Sequence, residues 1–365
     1  MDYKINIEKT KNWIKSNKEP LIISGPCSAE TEEQVLSTAK AISKIPNVKI
    51  FRAGIWKPRT RPDSFEGVGS KGLLWLKKVK EQTGLLTTVE VATPKHIEEC
   101  LKNNVDILWL GARTVVNPFS VQEISLALKG VDIPVMIKNP VNPDIKLWIG
   151  AIERINHAGI KKIIAIHRGF YSFEKTQFRN PPMWEIPIEL KRLIPGIPVI
   201  CDPSHICGNK ELLLSVSQKA LDLEMDGLMI ESHINPDKAL TDANQQIKPE
   251  KLNDLLSKLI IRKKKSPSSK HNILENLRDE IFKTDVELIN IISKRLEFVK
   301  EIGEYKHKNN ITILQLKQWH NVIKTRLEIG KEKNLDKDFL LKLLQVIHEE
   351  SVRKQIEIME KQKKK

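Results

Sequence analysis

Short apolar runs that stop abruptly at ionisable side chains recur through this chain, and they restrict its fold more than any other feature. The clearest is Ile197-Pro-Val-Ile-Cys-Asp-Pro-Ser-His205. It opens as a β-branched run entered through Pro198, the pattern of a buried strand. Pro203 stops the ladder among Asp202, Ser204 and His205. A strand buried on both faces has no polar side to alternate with, so its chemistry collects at its end. Seven more runs share the form: Pro20 to Cys27, Val48 to Arg52, Leu85 to Glu90, Ile107 to Arg113, Pro134 to Lys138, Lys162 to Arg168, and Gly227 to Glu231.

Segments with helical periodicity lie between the runs, such as Glu32 to Ile45 and Ser70 to Thr83. The spacing is about thirty residues, the size of one βα unit. Eight units in about 240 residues predict an α/β fold, a (β/α)8 TIM barrel over residues 20–261. A doubly wound open sheet would not need a polar tip on every strand, because its ligand sits at one switch point. Residues 1–19 are polar and read as an arm or one short helix. Residues 262–270 hold no apolar side chain after Arg262 and read as a basic linker. Residues 271–365 contain no Pro and only Gly303 and Gly330, so they predict an all-α helical domain of three helices. These run from Asn272 to Lys308, Thr312 to Ile329 and Asp336 to Gln362, with Gly330 as a stop and Asp336 as a start. The first helix is longer than three-helix packing can cover, so the domain is expected to dimerise.

The length of 365 residues suits two domains, and a hydrophobic fraction of 40% excludes a disordered chain. No apolar run is long enough for a membrane span, and the N-terminal residues carry no signal-peptide pattern, so the expected location is the cytoplasm. Four cysteines make no disulfide framework. The formal charge of +15 comes without aromatic–basic interleaving, which argues against nucleic acid. It suits anionic substrates, or Lys spread over solvated faces.

The strand tips sort into two chemical groups. Cys27, His205, Glu231 and Asp242 offer a thiolate, an imidazole and two carboxylates, a donor set for one divalent metal. Mixed soft and hard ligands suit Mn, Fe, Co or Zn without choosing among them. Arg52, Arg113, Lys138 and Arg168 form a cationic group suited to a small ligand bearing phosphate and carboxylate. Any one of these residues alone reads as ordinary packing; their shared position at strand ends is the signal. Cys100, Cys201 and Cys207 receive no role.

Gly25-Pro-Cys-Ser28, Lys57-Pro-Arg-Thr60, Gly111-Ala-Arg113, Asp202-Pro-Ser-His205 and Thr241-Asp-Ala243 together resemble the 3-deoxy-D-arabino-heptulosonate 7-phosphate (DAHP) synthases, in the compact subtype that also resembles the Kdo-8-phosphate synthases. The resemblance implies condensation of phosphoenolpyruvate with erythrose 4-phosphate, the entry step of the shikimate pathway of aromatic amino acid biosynthesis. By it, Cys27, His205, Glu231 and Asp242 hold the metal, and Arg52, Arg113, Lys138 and Arg168 bind phosphoenolpyruvate. Lys57, Arg59 and Thr60 meet the aldose phosphate, with Lys57 as acid and Glu90 aiding a water. The Lys-Pro-Arg-Thr stretch disfavours Kdo-8-phosphate synthase. Asn139-Pro140 and His167 depart from many relatives, which carry Arg-Gly and Glu there.

In the tail, Arg295 and Lys306 stand three helical turns apart, about 16 Å between Cα atoms, on one face. Arg278 lies about 100° away on the wheel and suits a partner chain's site. Ser351 and Gln355 form an i,i+4 pair. This set resembles the all-helical chorismate mutases over residues 271–361. The resemblance implies rearrangement of chorismate to prephenate without a cofactor. Arg278 and Arg295 would take carboxylates, Lys306 and Gln355 the ether oxygen, with Ser351 beside them and Gln315 at the substrate hydroxyl. Gln315, Gln318 and Trp319 replace Asp, Arg and Glu of familiar members. A weak mutase retained for dimerisation and for sensing prephenate is the alternative reading.

Overall fold

The computed structural model describes residues 3–14, 20–57, 63–262 and 268–363. It divides into two compact units, Met1–Arg262 and Lys263–Lys365. In the first, eight strands run parallel: β1 (Leu21–Gly25), β2 (Val48–Arg52), β3 (Leu86–Val91), β4 (Ile107–Leu110), β5 (Val135–Lys138), β6 (Ile163–His167), β7 (Val199–Cys201) and β8 (Gly227–Glu231). They pair in sequence order, and β1 on β8 closes the barrel with Leu21 opposite Gly227 and Gly25 opposite Glu231. Every apolar run of the sequence coincides with one strand, to within a residue at β3. Alternate side chains serve two cores: Ile23, Ile50, Trp109, Ile164 and Met229 fill the interior, while Ile22, Phe51, Leu108 and Val135 pack outward on helices.

Five of the strands are shorter than their apolar runs, β2 and β8 match theirs, and β3 is shifted on by one residue. Cys27, Arg113, Arg168 and His205 stand beyond the last ladder residue, Arg113 and His205 on short helices and Cys27 and Arg168 in the loops. Asp202 starts one of these helices: its carboxylate caps Pro203–Cys207 by accepting the His205 N–H at 3.1 Å. The arm is less polar in its behaviour than its composition suggests. It holds one 3-10 turn, Thr10–Asn12. Tyr3, Ile5 and Ile7 pack on the outer core, and Ile14, 2% exposed, joins the interior cluster.

The second unit holds helices Ser268–Lys308, Leu316–Glu332 and Lys337–Lys363, the last packed on both others. The first helix begins inside the expected linker, of which residues 263–267 lie outside the described residues. Asp336 does start the third helix, its Oδ1 accepting the Phe339 N–H at 2.8 Å. Gly330 is not a stop. It is buried within the second helix, where a Cβ would press on Leu340. Helix-to-helix proximity explains this glycine, and Asn334, at φ 55°, supplies the left-handed turn instead. Among the described residues no helix is long and apolar enough to cross a membrane.

Candidate active site

The floor of the site lies where β1 meets β8. Ligand atoms of Cys27, Glu231 and Asp242 lie within 4.8 Å of one another. Donors of a single Zn-like ion stand about 2.0–2.3 Å from it, hence at most about 4.6 Å apart, so the three lie within a few tenths of an ångström of a spacing that one metal spans. His205, on the short helix after β7, falls outside that group but close to it, with its Nε2 3.8 Å from Glu231 Oε1. The imidazole is aimed by Asp202, whose Oδ2 lies 2.8 Å from Nδ1 and 3.1 Å from Lys138 Nζ. A carboxylate behind a metal-facing histidine is the usual means of fixing its orientation.

Charge in this floor is heavily compensated. Burial first, then Glu231, pushes the Cys27 thiol up to about 12. Lys57 lies against it, Nζ 3.0 Å from Cys27 Sγ and 3.0 Å from its carbonyl oxygen. Burial would raise the Asp242 carboxyl, but Arg179, at 3.0 Å, holds it below the usual range. Burial likewise opposes ionisation of Glu231, and His205 and Arg52 overcome it, Arg52 at 3.2 Å.

Above the floor opens a cavity of about 510 Å³, lined by Lys57, Glu90, Arg113, Lys138, Arg168, Arg179, His205 and Asp242 among others. Four of the cations expected from sequence therefore meet there. Arg52 is not among the lining residues: it lies beneath, 1% exposed, bonded to Cys27 O at 3.1 Å. Glu90 accepts from Trp109 Nε1 at 3.0 Å, and Gly111 leaves room for its carboxylate, which a Cβ would strike. Arg59 and Thr60 lie outside the described residues. Sequence reasoning missed Arg179 and Gln245, which come from loops with no strand to flag them. Arg179 donates to Gln245 Oε1 at 2.9 Å, and Gln245 donates to Glu231 Oε2 at 2.7 Å. Asn139 has a structural part: it accepts the Arg168 N–H at 2.7 Å and donates to Gly169 O at 2.8 Å, tying β5 to β6.

In the helical unit, Arg295 donates to Ser351 Oγ at 2.7 Å, so helices one and three share a polar spot. Ser351 and Gln355 are buried, and Gln355 Oε1 has no hydrogen-bond partner. Lys306 reaches Ile313 O at 2.6 Å. Arg278 is exposed and pairs with Glu275 on its own helix, apart from this spot's bonds. Gln315 is exposed at the start of helix Leu316–Glu332. Trp319 stacks on His348 at 3.8 Å. Burial, then Arg295, lowers the His348 pKa; no motif pointed to His348.

The model of the DAHP synthetase I family matches residues 3–265. The chain belongs to that family. Residues 277–356 match the model of chorismate mutase type II, so this family member carries a DAHP synthase domain followed by a chorismate mutase domain. Phospho-2-dehydro-3-deoxyheptonate aldolase of Thermotoga maritima is 32% identical over 238 residues, covering 65% of this chain and 68% of that one. The crystal structure of the Thermotoga maritima DAHP synthase superposes with a TM-score of 0.59 at 31% identity, over 65% of this chain and 67% of that one. 2-Dehydro-3-deoxyphosphooctonate aldolase of Desulfatibacillum aliphaticivorans, from a related family, is 30% identical over 269 residues, 67% of this chain and 92% of that one.

Proposed function

We propose that the barrel of this DAHP synthase is metal-dependent, with Cys27, His205, Glu231 and Asp242 as ligands to one divalent ion. The reading is carried by one observation: a thiol and two carboxylates within 4.8 Å at the foot of a cation-lined cavity. A bound Mn, Fe, Co or Zn ion would supply Lewis acidity toward the aldehyde oxygen of erythrose 4-phosphate. Arg113, Lys138 and Arg168 fix the phosphate and carboxylate of phosphoenolpyruvate, so its methylene faces the aldehyde carbon. Arg52, locked to Glu231, shapes the floor beneath. Lys57 delivers a proton to the new hydroxyl. Glu90 orients the water that adds at the phosphate-bearing carbon, and inorganic phosphate leaves. Arg59 and Thr60 bind the aldose phosphate. Cys27→Ala and His205→Ala should each lose the stoichiometric metal and the condensation together; full activity of either in chelator-treated buffer would refute the assignment.

In the helical unit, Arg295, Lys306, Ser351 and Gln355 form one half of the mutase pocket, and Arg278 serves the pocket of a second copy. The unpartnered Oε1 of buried Gln355 supports a ligand there. This unit dimerises through the exposed apolar side of its first helix, and prephenate bound to it throttles the barrel. Such feedback requires differential affinity between two arrangements. Initial condensation rates unchanged at saturating prephenate would exclude it.

A further inference from the structure

Asp242 reaches the proposed metal from the loop after β8, where no ladder holds it. Its backbone is left-handed, φ 47° and ψ 38°, a conformation more open to Asp and Asn than to other non-glycine residues. Hydrogen bonds around it tie the loop down. Gln246, fully buried, supplies two of them. Its Oε1 accepts the Cys27 N–H at 2.9 Å, and its Nε2 donates to Thr241 O at 2.8 Å. One amide thus joins the backbone of Cys27 to the residue before Asp242. The Ser28 and Thr241 hydroxyls meet at 2.6 Å beside it, and Glu30 accepts the Leu240 N–H at 2.8 Å.

We infer that Gln246, with the Ser28–Thr241 bond, is a positioning clamp that sets the Cys27–Asp242 separation for metal, an inference that rests on the ligand assignment above. The glutamine amide offers an acceptor to the N–H and a donor to the carbonyl at once. Leucine fills similar space and offers neither. The clamp lies outside the ligand set, so its loss leaves all four donors present but misplaced.

The test is a Co²⁺ titration of metal-depleted full-length protein, followed by the thiolate-to-cobalt charge-transfer band, with thermal unfolding of the metal-free forms alongside. Gln246→Leu should bind Co²⁺ about 10–100-fold more weakly, with an altered band, as outer-shell changes do. Thr241→Val, a milder loss, should weaken binding in the same direction and decides the matter if Gln246→Leu does not fold. Wild-type affinity and spectrum in the variants, whatever their melting points, would overturn the clamp. Absence of the band in the wild type would instead overturn the ligand assignment on which it rests.

Discussion

Lys306 and His167 show how differently two buried or half-buried basic residues are used. Lys306 bonds a backbone oxygen, Ile313 O, that a ligand oxygen can replace. If it stabilises charge developing on the ether oxygen, Lys306→Ala should raise the chorismate rearrangement barrier by about 2.7–4 kcal/mol, read from kcat/KM. An unchanged rate would refute the role. His167, at the tip of β6, is packed between Phe170 and Trp184. Burial, and then Arg168, pushes its pKa down to about 3. Unfolded, its value is about 6.5. Between those limits the unfolded chain binds a proton that the folded chain refuses. The stabilisation is complete above about pH 6.5 and is lost as pH falls toward 3. His167→Met should flatten that acid limb by up to about 1.4 kcal/mol per pH unit, measured by urea unfolding between about pH 7 and pH 4.5.

At the scale of elements, the N-terminal arm is part of the barrel. Ile14 is sealed among the first residues of several strands, with Leu21, Ile164 and Ile200 in the same cluster. Truncating it opens a cavity in a rigid interior. Ile14→Ala should cost about 2–4 kcal/mol in chemical unfolding, with the ligand set untouched. A loss under about 0.5 kcal/mol would mean that the arm only lies on the surface. The strands were visible as apolar runs because burial on both faces leaves no other pattern. The arm was not, since isolated apolar residues separated by Lys and Asn carry no period.

For the whole molecule, the proposed dimer rests on the first tail helix. Leu277, Ile281 and Leu288 repeat at helical spacing and are exposed at 57%, 62% and 50% in the single chain, while Val299 is buried. A stripe of that length left in water favours self-association. If the proposed dimer holds, Ile281→Asp with Leu288→Asp should halve the mass in sedimentation velocity and remove prephenate formation, because Arg278 would no longer serve a second copy's pocket. Condensation by the barrel should persist. Wild-type chain sedimenting as a monomer at micromolar concentration would exclude the dimer.

The order of apolar runs determined the barrel, and their ionisable ends determined which residues gather at its mouth, since a parallel β/α repeat sends every strand's end to the same rim. The tail's three helices were equally legible from period and from the lack of Pro. Tertiary structure alone decided the rest. It placed Arg52 under the cavity, because Glu231 offers a nearer partner than solvent does. It brought Arg179 and Gln246 from loops onto Asp242 and Cys27, contacts that no local pattern encodes. It also made Gly330 a helix contact where sequence suggested an end, because the close approach of Leu340 is a property of two helices and not of either one.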